Sequence, residues 1–352
     1  EAMLKLIEAG IMAPSADNMQ PWKFRFDDNS LELTLDREQL GHFFDPADVA
    51  TEVGCGALIE NIDQYAQHLG LALSIERNPA GDKSIVAKLR FSPLKEVSQP
   101  DLANEVFTRC TDRGLYDRKR VVKDIDRKVL DALLKSSPDF TLTFYDDPLK
   151  RKAIIRTVYQ ADTIRFSHEA IHHDFYNVLR FGESAESTRD GLAQSTLGVE
   201  FFFIPVLKFL RSWRLTRLLN KVVGLHHMMA LRGVWLPMIY SSSLVSIVHQ
   251  GPADYLEFGR AMEKFWLQAT RCGLSVQPLG AFPLFLARLQ TVNGEGFSAS
   301  QISRLRQLEQ GFAECTPAYQ SAEGQLVMLF RIGYAKRSPS RSLRRSVESF
   351  LL

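Results

Sequence analysis

The sequence has few cysteines, no excess of one charge and no long apolar run. Its four cysteines lie far apart among 352 residues, a spacing that favours neither a disulfide framework nor a cysteine-based metal site. Reduced thiols predict a cytoplasmic protein. With 43 basic and 41 acidic side chains the net charge is +2, so no overall field attracts nucleic acid or a membrane. We therefore expect neither nucleic-acid binding nor membrane contact.

Several chemical motifs are also missing. The chain has no phosphate-binding loop, no dinucleotide-binding glycine fingerprint and no Gly-x-Ser-x-Gly elbow. The pairs His172-His173 and His226-His227 point to different faces of a helix and have no carboxylate at ligand spacing, so no metal site is predicted. The first residues predict an amphipathic helix and not a secretion signal.

The composition is typical of a globular protein, with 45% hydrophobic and 24% charged residues. Helix and strand patterns alternate along the chain, which predicts an α+β fold with mixed, largely antiparallel sheets flanked by helices. Apolar spacing predicts helices at 2–13, 51–71, 102–108, 121–134, from about 149, and 253–272. Period-two alternation predicts strands at 23–26, 31–35, 73–75, 85–91, 140–145, 243–248 and 326–334.

Residues 168–240 have a different character and predict a helical insertion or lid. A polar stretch at 180–194 is followed by apolar and basic stretches between 199 and 238. Lys208, Arg211, Arg214, Arg217 and Lys221 alternate there with large apolar residues. This pattern suits a membrane surface, a partner helix or a lid packed on its own protein.

The most specific feature is a polar loop after the first predicted helix, with the sequence Pro14-Ser15-Ala16-Asp17-Asn18-Met19-Gln20-Pro21-Trp22. Its Ser, Asn and Gln side chains offer both donors and acceptors. The loop resembles the Pro-Ser-x-x-Asn-x-Gln-Pro-Trp segment that contacts flavin in the nitroreductase family. The resemblance implies that Ser15, Asn18 and Gln20 hold the ring or ribityl chain of FMN. The alternative is a helix terminator in which Trp22 anchors the core.

A second motif, Arg109-Cys110-Thr111-Asp112-Arg113, is similar to the Arg-x-Ser-x-Arg/Lys segment of the same family. Guanidinium groups and a hydroxyl in an extended segment can bind phosphate. The resemblance implies that Arg109, Thr111 and Arg113 form the phosphate clamp. In the basic tail, Arg344 or Arg345 would complete it. Without the resemblance, these stretches would be a solvated basic turn and a charged terminus.

A third segment, Leu274 to Gly280, resembles the strand and loop whose backbone N–H lies beside flavin N5 in this family. The resemblance implies that Gln277, Pro278, Leu279 and Gly280 lie at the flavin, with Gly280 donating to N5. A fixed donor there would stabilise the reduced ring. An ordinary Pro-Gly turn is the alternative.

The order of these motifs predicts two fused nitroreductase-like halves. In the single-unit family the phosphate clamp precedes the loop, whereas here it follows by almost a hundred residues. Residues 57–71 and 261–274 also share a helix pattern that closes in Gly-Leu. We divide the chain into 1–100 (first half), 101–167 (start of the second half with the clamp), 168–240 (lid-like insertion) and 241–352 (remainder and basic tail). One composite FMN site results, and the second pseudo-symmetric site is expected to be empty.

The resemblance implies an FMN-dependent enzyme that uses NAD(P)H as transient electron donor and reduces a flat small molecule such as a nitroaromatic or quinone. No catalytic acid or base is assigned. Fused relatives include actinobacterial dormancy-associated proteins with an insertion over the flavin pocket, which residues 189–192 resemble. The alternatives are a flavin-dependent oxidase or dehydrogenase of a peptide or small-molecule modification pathway, and a lid-closed protein without activity, with or without flavin. An upstream fused domain and a homo-oligomer are the expected partners.

Overall fold

Two antiparallel sheets and a set of helices make up the protein. The computed structural model describes residues 1–79, 85–95, 101–135, 137, 139–320 and 323–352. The helices are α1 (Ala2–Gly10), α2 (Val49–His68), α3 (Ala103–Thr108), α4 (Asp124–Lys135), α5 (Pro148–Phe166), α6 (Glu169–Val178), α7 (Glu183–Thr188), α8 (Ile204–Phe209), α9 (Trp213–Val222), α10 (Leu225–Ala230), α11 (Leu236–Ile239), α12 (Tyr255–Arg271), α13 (Ala281–Thr291) and α14 (Ala299–Cys315). The strands are β1 (Trp22–Phe26), β2 (Ser30–Leu35), β3 (Leu71–Arg77), β4 (Ile85–Pro93), β5 (Phe140–Phe144), β6 (Leu179–Arg180), β7 (Leu192–Ala193), β8 (Ser243–Gln250), β9 (Ser275–Pro278) and β10 (Gly324–Gly333).

The first sheet has the strand order β1-β2-β4-β3 and the second has the order β5-β8-β10-β9. Every pairing within these two sheets is antiparallel, and only the short β6–β7 pair in the lid segment is parallel among the named strands. The predicted α+β class with largely antiparallel sheets is therefore confirmed. The first sheet lies in the N-terminal third of the chain and the second is built from the rest.

The β1–β2 hairpin shows how local chemistry sets the first sheet. The Asp27 carboxylate accepts the backbone N–H of Asn29 at 3.0 Å and of Ser30 at 2.7 Å, which closes the turn. On the strands, Phe24, Leu31 and Leu33 are fully buried. The predicted hairpin is confirmed, because a side-chain-closed turn and period-two burial act on the same few residues.

Helices α2 and α12 cross each other at two glycines. A Cβ on Gly56 would lie 1.9 Å from the Leu256 carbonyl oxygen, and a Cβ on Gly259 would lie 2.0 Å from the Val53 carbonyl oxygen. The two backbones are therefore in direct contact, which only a residue without a side chain permits. The two helix segments that share a sequence pattern, residues 57–71 and 261–274, begin next to this crossing.

Two segments outside the named strands pair with the two sheets. Leu351 bridges Phe24 of β1, and the N–H of Leu352 donates to the Phe24 carbonyl at 2.9 Å. Thr111 bridges Val276 of β9. The C-terminal tail thus extends the first sheet, and the segment predicted as phosphate clamp lies along the edge of the second.

Most predicted elements are confirmed, with ends that differ by a few residues. Helices α13 and α14 lie in a region for which the sequence analysis made no prediction. The boundary placed at residue 100 lies outside the described residues, as do positions 136 and 138. The division into two fused halves stays a prediction, which the helix crossing and the paired sheets support.

Replacing Gly56 by Ala should force α2 and α12 apart and lower the free energy of unfolding by about 3 kcal/mol or more. The matched control is Gly311→Ala in α14, where a Cβ would meet nothing within 4 Å. That change should raise stability by about 0.5–1 kcal/mol, since Ala favours helix over Gly. Urea unfolding followed by circular dichroism measures both, and equal midpoints for the two variants would contradict the backbone contact.

Candidate functional site

A cavity of about 770 Å³ lies between the two helices of the crossing, the second sheet and the lid segment. Its size falls within the roughly 300–1,000 Å³ typical of small-molecule sites. Val53 and Gly54 of α2 line one wall, while Met262 and Trp266 of α12 line another. Residues 197–234 contribute a further wall of fourteen residues, largely with apolar side chains. The lid segment therefore covers the cavity.

Six of the twelve predicted flavin-site residues line this cavity. They are Ser15, Thr111, Arg113, Gln277, Pro278 and Gly280. They come from the loop after α1, from the segment beside β9, and from β9 with its connection to α13, three places that are distant in sequence. The structure therefore brings together one part of each sequence motif except the C-terminal tail.

Gly280 sits at the start of α13. No side chain caps this helix end, and the backbone N–H of Gly280 has no acceptor among the described residues. A Cβ on Gly280 would meet nothing of the protein closer than Leu284 at 3.8 Å, so glycine leaves cavity space free. The adjacent Leu279 differs, because its N–H donates to the Leu329 carbonyl at 2.8 Å and its side chain is buried.

Asn18 and Gln20 are buried and hold other parts of the chain. Asn18 Nδ2 donates to the Gly191 carbonyl at 3.2 Å, and Gln20 Nε2 donates to the Arg189 carbonyl at 3.0 Å. Gln20 Oε1 accepts the N–H of Arg345 at 3.0 Å. These two side chains fasten the lid segment and the tail to the loop, and they do not line the cavity. Their contact with a flavin stays a prediction.

Arg344 caps the end of α1. Its guanidinium donates to the carbonyls of residues 11–13 at 2.8–3.1 Å and to Asn18 Oδ1 at 2.7 Å. Burial, reinforced by the nearby Arg109, lowers the pKa of Arg344 to about 9. The tail arginine predicted for the phosphate clamp thus already satisfies the unpaired carbonyls of a helix terminus.

Arg109 and Glu263 form a buried ion pair, with 2.8 Å between Arg109 Nε and Glu263 Oε1. Arg109 Nη2 also donates to the Met12 carbonyl at 2.7 Å, and its guanidinium lies 4.5 Å from the Trp266 ring centre. The amide of Asn61 is oriented to donate to Glu263 Oε1 at 3.1 Å. An internal carboxylate therefore lies where the sequence motif predicts a bound phosphate.

Three arginines lie on the cavity wall, Arg113, Arg165 and Arg232, and Arg232 pairs with Glu200 at 2.6 Å. Arg113 Nη1 donates to the Thr196 carbonyl at 3.1 Å, and its other guanidinium nitrogens have no acceptor in the described part of the chain. Burial lowers the pKa of Arg113. Arg165 pairs with Asp162 at 2.8 Å. The cavity therefore offers a cationic end that can bind an anion.

Asp17 is one of two aspartates on the cavity wall, the other being Asp174. The backbone of Asp17 is held in the left-handed region at φ +48°, which is strained for a residue other than glycine. Burial raises the pKa of its carboxyl, although Arg165 and Arg113 lower it in part. The loop after α1 therefore places a carboxyl that keeps its proton more readily than a solvated aspartate.

Sequence reasoning missed the roles of Asp17, Arg165 and Glu263. The role of Glu263 could have been inferred from the sequence, because Glu263 falls among the buried positions of α12 and a buried carboxylate needs a buried partner. Asp17 lies inside the motif but at one of its variable positions. Nothing in the sequence near Arg165 relates it to the loop.

Replacing Glu263 by Gln should change how stability depends on pH. Burial raises the pKa of Glu263 from 4.5 to about 7, ahead of the opposing effect of Arg109. Between these two pKa values the folded protein therefore keeps the Glu263 proton, whereas the unfolded chain releases it. The contribution of this carboxyl group to the free energy of unfolding falls as pH rises through that range. The unfolding free energy of the wild type relative to the variant should drop by as much as about 3 kcal/mol across this window.

Urea titrations at several pH values measure this difference. Glu314→Gln, on the exposed face of α14, removes the same side-chain charge at the surface and controls for net charge. A difference between wild type and Glu263→Gln that stays constant from pH 4.5 to 7 would contradict the assignment.

Comparison with known sequences gives distant relatives, and no family model matches. An uncharacterized protein of Mycobacterium tuberculosis is 26% identical over 345 residues, which is 97% of this chain and 46% of that protein, so the chain spans about half its length. The acg protein of the same species is 28% identical over 110 residues (30% of this chain, 33% of that protein). PigM of Serratia is 22% identical over 296 residues (79% and 80%). The acg protein and PigM are both named as NAD(P)H nitroreductases, and both names mark that assignment as provisional.

The matches with solved structures cover nearly the whole length of each solved chain. A nitroreductase-like family protein from Bacillus cereus matches with a TM-score of 0.34 and 13% identity, covering 72% of this chain and 96% of that one. An FMN-dependent nitroreductase from Mycobacterium smegmatis, solved with NADPH, matches with a TM-score of 0.36 and 13% identity, covering 71% and 97%. In sequence, the chain is a distant relative of nitroreductase-like proteins.

Proposed function

We propose that this protein is an FMN-dependent oxidoreductase that takes electrons from NAD(P)H and passes them to a flat organic acceptor. The observation that carries the proposal is the cavity, which collects six residues of three separate flavin-type motifs on one surface. The distant relation to proteins named as NAD(P)H nitroreductases supports the same reaction class. The natural acceptor is proposed only as a class, small and planar.

The residues of the cavity fit an FMN molecule. Its mostly apolar walls, with Val53, Met262 and Trp266 among them, suit a planar ring. Arg113 offers donors without protein acceptors, as a phosphate group requires. We therefore assign the phosphate to Arg113, with Arg165 beside it, in place of Arg109 and of Arg344 or Arg345, which the resemblance implied.

A bound flavin supplies the hydride and single-electron transfers. The protein's contribution is to orient it and to stabilise charge. The free N–H of Gly280 at the start of α13 is a fixed donor, and the dipole of that helix also favours negative charge at this end. The apolar side chains of the lid segment that line the cavity lower its polarity, which strengthens these interactions.

Asp17 would supply a proton at the cavity wall. Because burial raises its pKa, the carboxyl stays protonated to higher pH than a solvated aspartate and can donate when the acceptor is reduced.

A lid-closed flavin protein without turnover is the second candidate. It is favoured by the hydrogen bonds from Asn18 and Gln20 to the Gly191 and Arg189 carbonyls, which tie the lid segment to the loop. The two candidates share the FMN site and differ in whether NAD(P)H and an acceptor can enter.

The purified protein, supplied with FMN, should bind about one FMN per chain. Arg113→Ala should weaken binding roughly tenfold to a hundredfold, since charge-assisted hydrogen bonds to phosphate contribute about 1.5–3 kcal/mol. Arg156→Ala on the exposed face of α5 is the matched control and should bind like the wild type. Flavin fluorescence titration gives the dissociation constants.

A colourless wild type that ignores added FMN would refute the proposal. For a protein that does bind FMN, anaerobic NADH and NADPH separate the candidates. Bleaching of the flavin absorbance supports the oxidoreductase, and a flavin that neither cofactor reduces supports the closed form.

Asp17→Asn should lower turnover about a hundredfold while FMN content stays the same, because the amide fills the same space but carries no transferable proton. Since the protonated carboxyl is the active form, wild-type kcat should decline as pH rises through the pKa of Asp17. The variant should lack this decline. Asp28→Asn in the exposed β1–β2 turn is the control. Wild-type kcat in Asp17→Asn at every pH would exclude this role.

A further inference from the structure

The outer part of the lid segment carries a concentrated apolar surface. Among the described residues, eleven of the nineteen exposed large apolar side chains fall between positions 199 and 231. They are Val199, Phe201, Phe202, Phe203, Val206, Phe209, Leu218, Val222, Val223, Met228 and Leu231. We call this set the lid surface. A soluble protein rarely leaves so many neighbouring apolar side chains uncovered without a partner for them.

Part of the lid surface faces away from the cavity. Phe201, Phe209 and Val222 do not line the cavity and are 87%, 67% and 71% exposed. Their exposure is therefore to the surroundings of the protein, and it includes aromatic side chains of the kind that partition into membrane interfaces.

The same stretch is basic and contains no acid. Lys208, Arg211, Arg214, Arg217 and Lys221 are all exposed, and positions 201–231 include no Asp or Glu. The nearest acid in sequence on the N-terminal side, Glu200, pairs with Arg232 at 2.6 Å. A chain with a net charge of only +2 thus places five cations, with no ion pair to any described residue, in the same stretch as eleven exposed apolar side chains.

Helix α9 has the form of an interfacial helix. Arg214, Arg217 and Lys221 are three and four residues apart and share one face, beside the exposed Leu218 and Val222. No single described helix is long and apolar enough to cross a membrane. The pair 213–222 and 225–239 passes such a test jointly but is bent by 92°. The geometry suits helices that lie along a membrane surface.

We propose that the lid surface docks on an anionic lipid bilayer. Apolar side chains enter the interface while the five cations face acidic headgroups, the two contributions that together bind amphipathic helices. A second copy of the chain fits less well, because a symmetric dimer through this surface would bring five cations against five cations without a carboxylate between them. The expectation of no membrane contact came from the overall charge, and the local charge leads to the opposite proposal.

The lid surface continues into the cavity. Val199, Phe203, Val206, Met228 and Leu231 belong to it and also line the cavity wall. On a bilayer, this wall would face the acyl region. If the proposed flavin function holds, on which this step rests, the acceptor is an apolar planar molecule dissolved in the membrane, such as a quinone.

Sedimentation with lipid vesicles tests the docking, with the full chain and irrespective of its flavin content. The protein should bind vesicles of phosphatidylcholine mixed equally with phosphatidylglycerol, bind pure phosphatidylcholine far less, and lose affinity as salt is added. The triple variant Arg214→Gln, Arg217→Gln, Lys221→Gln should bind the anionic vesicles roughly a hundredfold more weakly. Lys152→Gln, Arg156→Gln, Arg306→Gln removes three exposed cations elsewhere and should bind like the wild type.

The apolar contribution is tested by Phe201→Ser with Phe209→Ser, which should weaken vesicle binding roughly tenfold or more. Leu149→Ser, at an equally exposed site on α5, is the control and should leave binding unchanged. All these positions are at the surface, and thermal unfolding checks that each variant folds.

Three results would overturn the docking: a folded wild type that does not bind anionic vesicles, a triple variant that binds as tightly as its control, or light scattering that shows a stable dimer blocked by Phe201→Ser with Phe209→Ser. Flavin binding is measured separately on the same samples. A chain that binds vesicles but no FMN supports docking and refutes the proposed function, whereas the reverse result does the opposite.

Discussion

The contact between the backbones of α2 and α12 is the constraint on which the rest of the structure depends. At Gly56 and Gly259 each helix lies against a carbonyl oxygen of the other, a separation that no side chain would permit. In sequence, α2 lies between strands of the first sheet and α12 between strands of the second, and these helices also supply two cavity walls through Gly54 and Trp266. Cavity width and sheet positions are therefore set by the same crossing.

Near this crossing, the arginines have partners other than those that the sequence motifs implied. Arg109 is buried against Glu263, and Arg344 is partly buried against the end of α1. Two such cations need internal acceptors because they are removed from water. The arginines on the cavity wall are instead Arg113 from the predicted motif, Arg165 from α5 and Arg232 from the lid segment. On the proposed function, folding and phosphate binding would use separate arginines.

Local patterns predicted the fold better than they predicted the site. The β1–β2 hairpin and α12 follow from turn chemistry and apolar spacing, which act within a few residues. The roles of Asn18 and Gln20 depend on where residues 189–191 and 344–345 lie, and amide groups suit a flavin edge and a backbone carbonyl equally. Sequence identified the loop as special, but only tertiary contacts decide which partner its side chains meet.

The pairing of the tail with the N-terminal elements has a consequence for biosynthesis. Arg344 satisfies the carbonyls at the end of α1, and Leu352 pairs with Phe24. During translation the first helix and loop emerge some 330 residues before these partners, as the sequence separation of 333 between Arg344 and Ile11 shows. The loop beside the cavity can therefore reach its final form only after residues 343–352 have been synthesised.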